Sequence, residues 1–264
     1  MTDMHIHTRY SFDSEEEPAS YIRAAINCGE VSLGFAEHYD YDAFLDGEKG
    51  QLADMQGFIA EIDRMLEHSP VKIFKGVELG YRAKAVKKYR EIEKLPLDFI
   101  IMSVHTLKGR GDCYFPEFYK GLTKEQAYGK YLDAVYDSIT CGINFHILGH
   151  LGYVARYAPY EDRKLTYEEF PDRIDRILKA LIERHISLEL NASCKGLEGP
   201  FVTDVSILDR YIELGGEDFT YGSDAHKAAD FQRGAQAAED FLISHGMTHI
   251  NLYEGRRAIA ISLI

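Results

Sequence analysis

Apolar positions along this chain alternate between two patterns: short, nearly continuous runs and longer runs with helical spacing. The short runs are an opening stretch around His5, then Ser32–His38, Lys72–Gly80, Phe99–His105, Asn144–His150, Ser187–Ala192 and Phe219–Asp224. Phe99–His105 is almost wholly apolar, as a strand covered on both faces should be. Helices are predicted between the runs. The first runs from Pro18 to Cys28, opened by a Ser14–Glu17 capping box and closed by Gly29. The next covers Gln51–Glu67, with Leu52, Met55, Ile59, Ile62 and Leu66 on one stripe. Others follow at about 83–94, Lys124–Thr140, Thr166–Arg184, Asp204–Leu214 and Ala228–His245, with a last short strand at Ile250–Tyr253.

Strand and helix thus alternate seven times, which predicts a parallel sheet with crossover helices. No glycine-rich dinucleotide or phosphate-binding loop is present, which disfavours a nucleotide-binding doubly wound sheet. No linker or repeat divides the chain. The expectation is one domain over residues 1–264, a closed and distorted (β/α)7 barrel. Two long loops, 106–122 and 151–165, carry many aromatic residues, and loops of that length are usually functional.

Composition narrows the partners. The net charge of −13 disfavours a nucleic-acid backbone as bulk partner and suits a cationic substrate. Four scattered cysteines without Cys-x-x-Cys spacing read as reduced thiols of a cytoplasmic protein. No signal peptide is expected, and no apolar run reaches the ~18 residues of a membrane span.

The chemistry lies at the ends of the predicted strands. His5 and His7 are two apart, so on a strand their imidazoles project from one face and can share a metal ion. His38, Glu78, His105, His150, Asp224 and His226 each stand at or just after a strand's C-terminal end, where parallel barrels keep their active sites. Six of the eleven histidines ending strands is a pattern that structural histidines do not explain. His68, His185, His245 and His249 fall on helices or their ends and are expected to be structural. His146 shares parity with His150 but is expected to be a packing residue. Arg156 is a candidate to fork onto a phosphate. Glu117, with the aromatic residues of its loop, is a candidate to receive a cationic amine and a ring.

These motifs resemble the PHP (polymerase and histidinol phosphatase) superfamily, and within it the histidinol-phosphate phosphatases. The resemblance rests on Asp3-Met4-His5-Ile6-His7-Thr8 with Ser11 and Asp13, then Glu37-His38, Gly76-Val77-Glu78, Ser103-Val104-His105, Gly149-His150 and Gly222-Ser223-Asp224-Ala225-His226. It implies a distorted barrel with three divalent metal ions, zinc, iron or manganese. It also implies the ligand sets. His5, His7, Glu78 and Asp224 are expected at one ion, and Glu78, His105 and His150 at a second. His38 and His226 are expected at the third, with Asp13 where many members have a histidine.

The implied reaction is hydrolysis of L-histidinol phosphate by a metal-bridging hydroxide, with Asp224 or His226 as proton donor and His38 beside the phosphate. Alternatives are a broader phosphoesterase, a non-catalytic barrel, or a metal-dependent amidohydrolase. The complete ligand set and the closing Gly-Ser-Asp-Ala-His favour a catalytic PHP barrel.

Overall fold

The computed structural model describes residues 1–41 and 51–263. Seven parallel strands follow one another in chain order around a nearly closed barrel: Asp3–Ile6, Ser32–Asp40, Lys72–Gly80, Phe99–Ser103, Ile147–Leu148, Ser187–Asn191 and Phe219–Gly222. The longest pairing runs from Ser32↔Lys72 to Tyr39↔Leu79. The ring is drawn together by a parallel bridge from Ile6 to Ala225, where the His7 N–H donates to the Ala225 carbonyl at 2.9 Å.

Two apolar layers hold the barrel. Residues such as Tyr21, Phe35, Tyr128, Leu178 and Tyr211 fill the space between strands and helices. Inside, Met4, Phe74, Phe99, Ile101 and Ile147 fill the end opposite the predicted site, and Leu252 and Tyr253 cap them. Those two come from a C-terminal hairpin, His249–Glu254 paired with Arg257–Ser262, which extends the short last strand expected from sequence. No helix among the described residues is long and apolar enough to cross a membrane.

Helix Pro18–Cys28 has the predicted bounds and ends on Gly29 in the left-handed region, at φ 79°. Its capping box does not form. Ser14 Oγ instead lies 3.2 Å from the His7 carbonyl and 2.9 Å from that of His226, joining the first loop to the last. The expected helix from Gln51 starts later, at Met55, with Asp54 as its cap. Gln51–Leu52 pairs antiparallel with Tyr39 and Asp40, so Leu52 lies off the apolar stripe. The helix expected at 83–94 divides into a 3-10 turn, Ala83–Ala85, and Val86–Ile92. Pro171, not Thr166, opens the helix that ends at Arg184. Gly234, at φ 72°, splits the last predicted helix, which begins at Ala235.

The fifth strand is much shorter than the expected Asn144–His150. His146 turns its ring into the ladder, where Nδ1 accepts the Ile100 N–H at 2.9 Å. Burial pushes this imidazole down to about 4 and keeps it neutral, as an acceptor must be. The first long loop is ordered by a small hairpin, Thr106–Leu107 with Gly111–Asp112, and a turn at Pro116–Tyr119.

Candidate active site

The first strand ends just before His7, and His5 and His7 do project together, with ring centroids 5.0 Å apart. His38 leaves the second strand, Glu78 the third, and His105 and His150 follow the fourth and fifth. Asp224 and His226 follow the seventh. Asp224 sits at φ 52°, a left-handed conformation that aspartate tolerates better than most residues. Such conformations concentrate at functional sites.

These side chains form four triads, each bringing three ligand atoms within 4.8 Å of one another: His5–His7–Asp224, His5–Glu78–His150, His38–Glu78–His105 and His7–His38–His226. Glu78 Oε2 lies 3.5 Å from His5 Nε2 and 3.7 Å from His7 Nε2. Its Oε1 lies 2.8 Å from His150 Nε2 and 3.3 Å from His105 Nε2. Asp13 Oδ2 stands 3.0 Å from His226 Nε2 and 3.6 Å from His38 Nε2. Two nitrogens on one tetrahedral zinc are about 3.3 Å apart, so these separations suit atoms sharing an ion. His5 Nε2, His7 Nε2 and Glu78 Oε2 are buried without a hydrogen-bond partner among the described residues. Buried polar atoms are rarely left so, and here the donor set fits divalent metal.

The electrostatics agree. Burial, with His38 and His226 alongside, pushes His7 down to about 3, which leaves its ring neutral and its lone pair free. Burial opposes the ionised forms of Glu78 and Asp13, yet the surrounding histidines hold both well below the usual carboxylate range.

A cleft of about 620 Å³ opens over this cluster. Arg156 lines it from the short helix Tyr153–Arg156, buried at 5% exposure. Its Nη2 donates to Ser193 Oγ at 2.8 Å, Nη1 is 3.5 Å from Asp224 Oδ2, and Nε makes no hydrogen bond among the described residues. Glu117 does not reach the cleft; it is exposed on the 3-10 turn and is absent from the lining. The carboxylate in that quarter is Asp112, which accepts from the Tyr114 N–H at 2.7 Å and the Tyr153 hydroxyl at 3.3 Å. Phe12, Tyr114, Phe115, Tyr153 and Tyr157 supply the aromatic walls, and Lys195 stands near Arg156.

Two further carboxylates escaped the sequence reading. Asp40 Oδ1 holds His105 Nδ1 at 2.7 Å, and Glu189 Oε1 holds His5 Nδ1 at 2.5 Å. Both had a signal. Asp40 shares strand parity with His38, and Glu189 is a charge inside an apolar strand. His146 lies at the far end of the barrel, under Tyr253.

A family model for the PHP domain matches residues 3–193. The chain belongs to the PHP domain family. The PHP barrel here extends past the matched span, since Asp224 and His226 complete the cluster. A histidinol-phosphatase of Lactococcus lactis subsp. lactis is 31% identical over 263 residues, 97% of this chain and 95% of that protein. A probable histidinol-phosphatase of Clostridium acetobutylicum is 30% identical over 232 residues, 85% of this chain and 86% of that one. Among solved structures, histidinol phosphate phosphatase from Lactococcus lactis subsp. lactis, complexed with zinc, L-histidinol and phosphate, superposes with a TM-score of 0.88 at 29% identity, over 98% of both chains.

Proposed function

We propose that this PHP protein is a metal-dependent phosphomonoesterase that converts L-histidinol phosphate to L-histidinol and phosphate, a step of histidine biosynthesis. Residues 1–264 act as one domain, because the ligands come from its first strand and from the loop after its seventh. The observation that carries the reading is Arg156. A buried guanidinium whose Nε makes no hydrogen bond among the described residues lines the same cleft as the ligand atoms, and a planar fork of donors is the side chain best matched to a phosphate.

The residues that would hold the ions are His5, His7, Glu78 and Asp224, then Glu78, His105 and His150, then His38, His226 and Asp13. Divalent ions held there would polarise phosphoryl oxygens and lower the pKa of a bound water toward neutrality. The protein's own part is placement. Arg156 and Asp224 meet at the phosphate end, and Asp224 and His226 are assigned to relaying a proton to the leaving alkoxide. Asp112 sets a negative charge among aromatic rings, which suits a protonated amine and an imidazole.

The test is phosphate release from histidinol phosphate, nucleoside monophosphates and phenyl phosphate by zinc-, manganese- and iron-loaded protein. A kcat/KM for histidinol phosphate no higher than for the others would turn the assignment toward a broad phosphoesterase.

A further inference from the structure

Glu189, in the sixth strand, lies beneath the ligand cluster at 1% exposure. Both its oxygens are engaged. Oε1 is 2.5 Å from His5 Nδ1. Oε2 accepts the backbone N–H of His150 at 2.8 Å and the Asn191 amide at 3.1 Å. Space for the carboxylate exists because residue 222 is glycine; a Cβ there would meet Glu189 Oε1 at 2.4 Å and His5 Cβ at 2.6 Å.

An imidazole that ligates through Nε2 must carry its proton on Nδ1, and the acceptor facing Nδ1 decides whether it does. His5 Nε2, on the cluster side, makes no hydrogen bond among the described residues. We propose that Glu189 is a positioning residue of the metal centre: its carboxylate keeps the His5 proton on Nδ1 and anchors the His150 backbone, so that both imidazoles present Nε2 to the ions. The proposal rests on the reading that this cluster holds metal.

Charge count makes Glu189→Gln informative, since glutamine has the same size. If its oxygen faces His5, its NH2 opposes two donors, the His150 N–H and the Asn191 amide. If it flips, the NH2 faces His5 Nδ1 and drives the proton to Nε2, where it blocks ligation. A flip of Asn191 brings no relief, because its Oδ1 accepts the Ser193 N–H at 3.0 Å and Ser193 Oγ seats Arg156.

The experiment is zinc competition against a chromophoric chelator, with wild type and Glu189→Gln titrated side by side. Loss of such a partner typically weakens metal binding by about 10–100-fold, so the variant should bind zinc at least about tenfold more weakly. Affinities within twofold overturn the proposal. A wild type that binds no zinc overturns the metal reading itself, which is a separate failure. A second measurement needs no variant. In long-range proton–nitrogen spectra of zinc-loaded wild type, His5 should carry its proton on Nδ1, and a proton on Nε2 overturns the role of Glu189.

Discussion

Glu78 Oε1 and His150 Nε2 lie 2.8 Å apart, and the other Glu78 oxygen lies 2.8 Å from His38 Nδ1. One carboxylate therefore faces two of the triads at once. Its amide keeps the shape but offers one oxygen and one NH2, and the NH2 can only donate, so one of the two triads loses a ligand atom. Outer partners of metal ligands cost about 10–100-fold when lost, so a ligand shared between clusters should cost more than about 100-fold. Glu78→Gln should lower kcat/KM by at least that much and bind less metal by elemental analysis. Retention of full metal content and of a tenth of the activity would contradict a bridging role.

Metal removal should act on stability as well as activity. The buried atoms His5 Nε2, His7 Nε2 and Glu78 Oε2 make no hydrogen bond among the described residues, and an ion would engage them. A ligand that binds only the folded state stabilises it by about 2.7 kcal/mol at a hundred times its Kd. Chelated protein should lose phosphatase activity and melt several degrees lower, and zinc, manganese or iron should restore both. Unchanged melting with full activity in protein verified metal-free would refute the mechanism.

His146 gives a pH dependence of different origin. Its pKa falls from 6.5 to about 4 on folding, with burial as the main cause. Below pH 6.5 the unfolded chain binds a proton that the folded ring refuses. Stability from this group is therefore complete above 6.5 and is lost as pH falls toward 4, by about 3 kcal/mol in all. Asparagine can accept the Ile100 N–H without titrating. Urea midpoints of wild type and His146→Asn should run parallel above pH 7 and converge or cross between 6.5 and 4, with the ligand titrations common to both. Parallel curves throughout would mean that the ring is protonated inside the barrel.

Residues on strand ends were legible because strands have a period and a direction. His5 and His7 had to share a face, and seven C-terminal ends had to converge. Loops have neither. Glu117 and Asp112 are five residues apart in one aromatic loop, and only the small hairpin and the turn after it decide which carboxylate meets the cleft. Leu52 misled for a related reason: a spacing of three to Met55 continues a helical stripe, but Gln51–Leu52 is pulled into pairing with Tyr39 and Asp40. Ser14 obeyed local capping rules on paper and was taken by a contact 212 residues away.

Asp112 makes the substrate's amine testable. Burial raises its carboxyl above the usual value, and a protonated amine placed beside it would favour the ionised form. A charge-assisted hydrogen bond contributes roughly 1.5–3 kcal/mol. Asp112→Asn should therefore cut kcat/KM for histidinol phosphate by about tenfold or more and leave phenyl phosphate, which has no amine, within twofold. Equal losses on both esters would make Asp112 a support for Tyr114 and Tyr153 instead.

Arg156 separates substrate binding from metal binding. Its guanidinium is seated by Ser193 and Asp224, and a guanidinium, which only donates, is not a metal ligand. A charge-assisted bond to phosphate again contributes roughly 1.5–3 kcal/mol, so Arg156→Ala should lower kcat/KM by about ten- to a hundredfold with metal content equal to the parent. Asp224 needs watching in this variant, because Oδ2 loses its cation while Oδ1 keeps His7 at 3.4 Å. Arg156→Lys should recover only part of the loss, since an ammonium keeps the charge but cannot reach both Ser193 and a phosphate in one plane. Steady-state kinetics on both variants, each checked for metal, decide it. An alanine variant within twofold of the parent would leave the phosphate to the ions, His38 and His226, and Arg156 would be a brace for Asp224 alone.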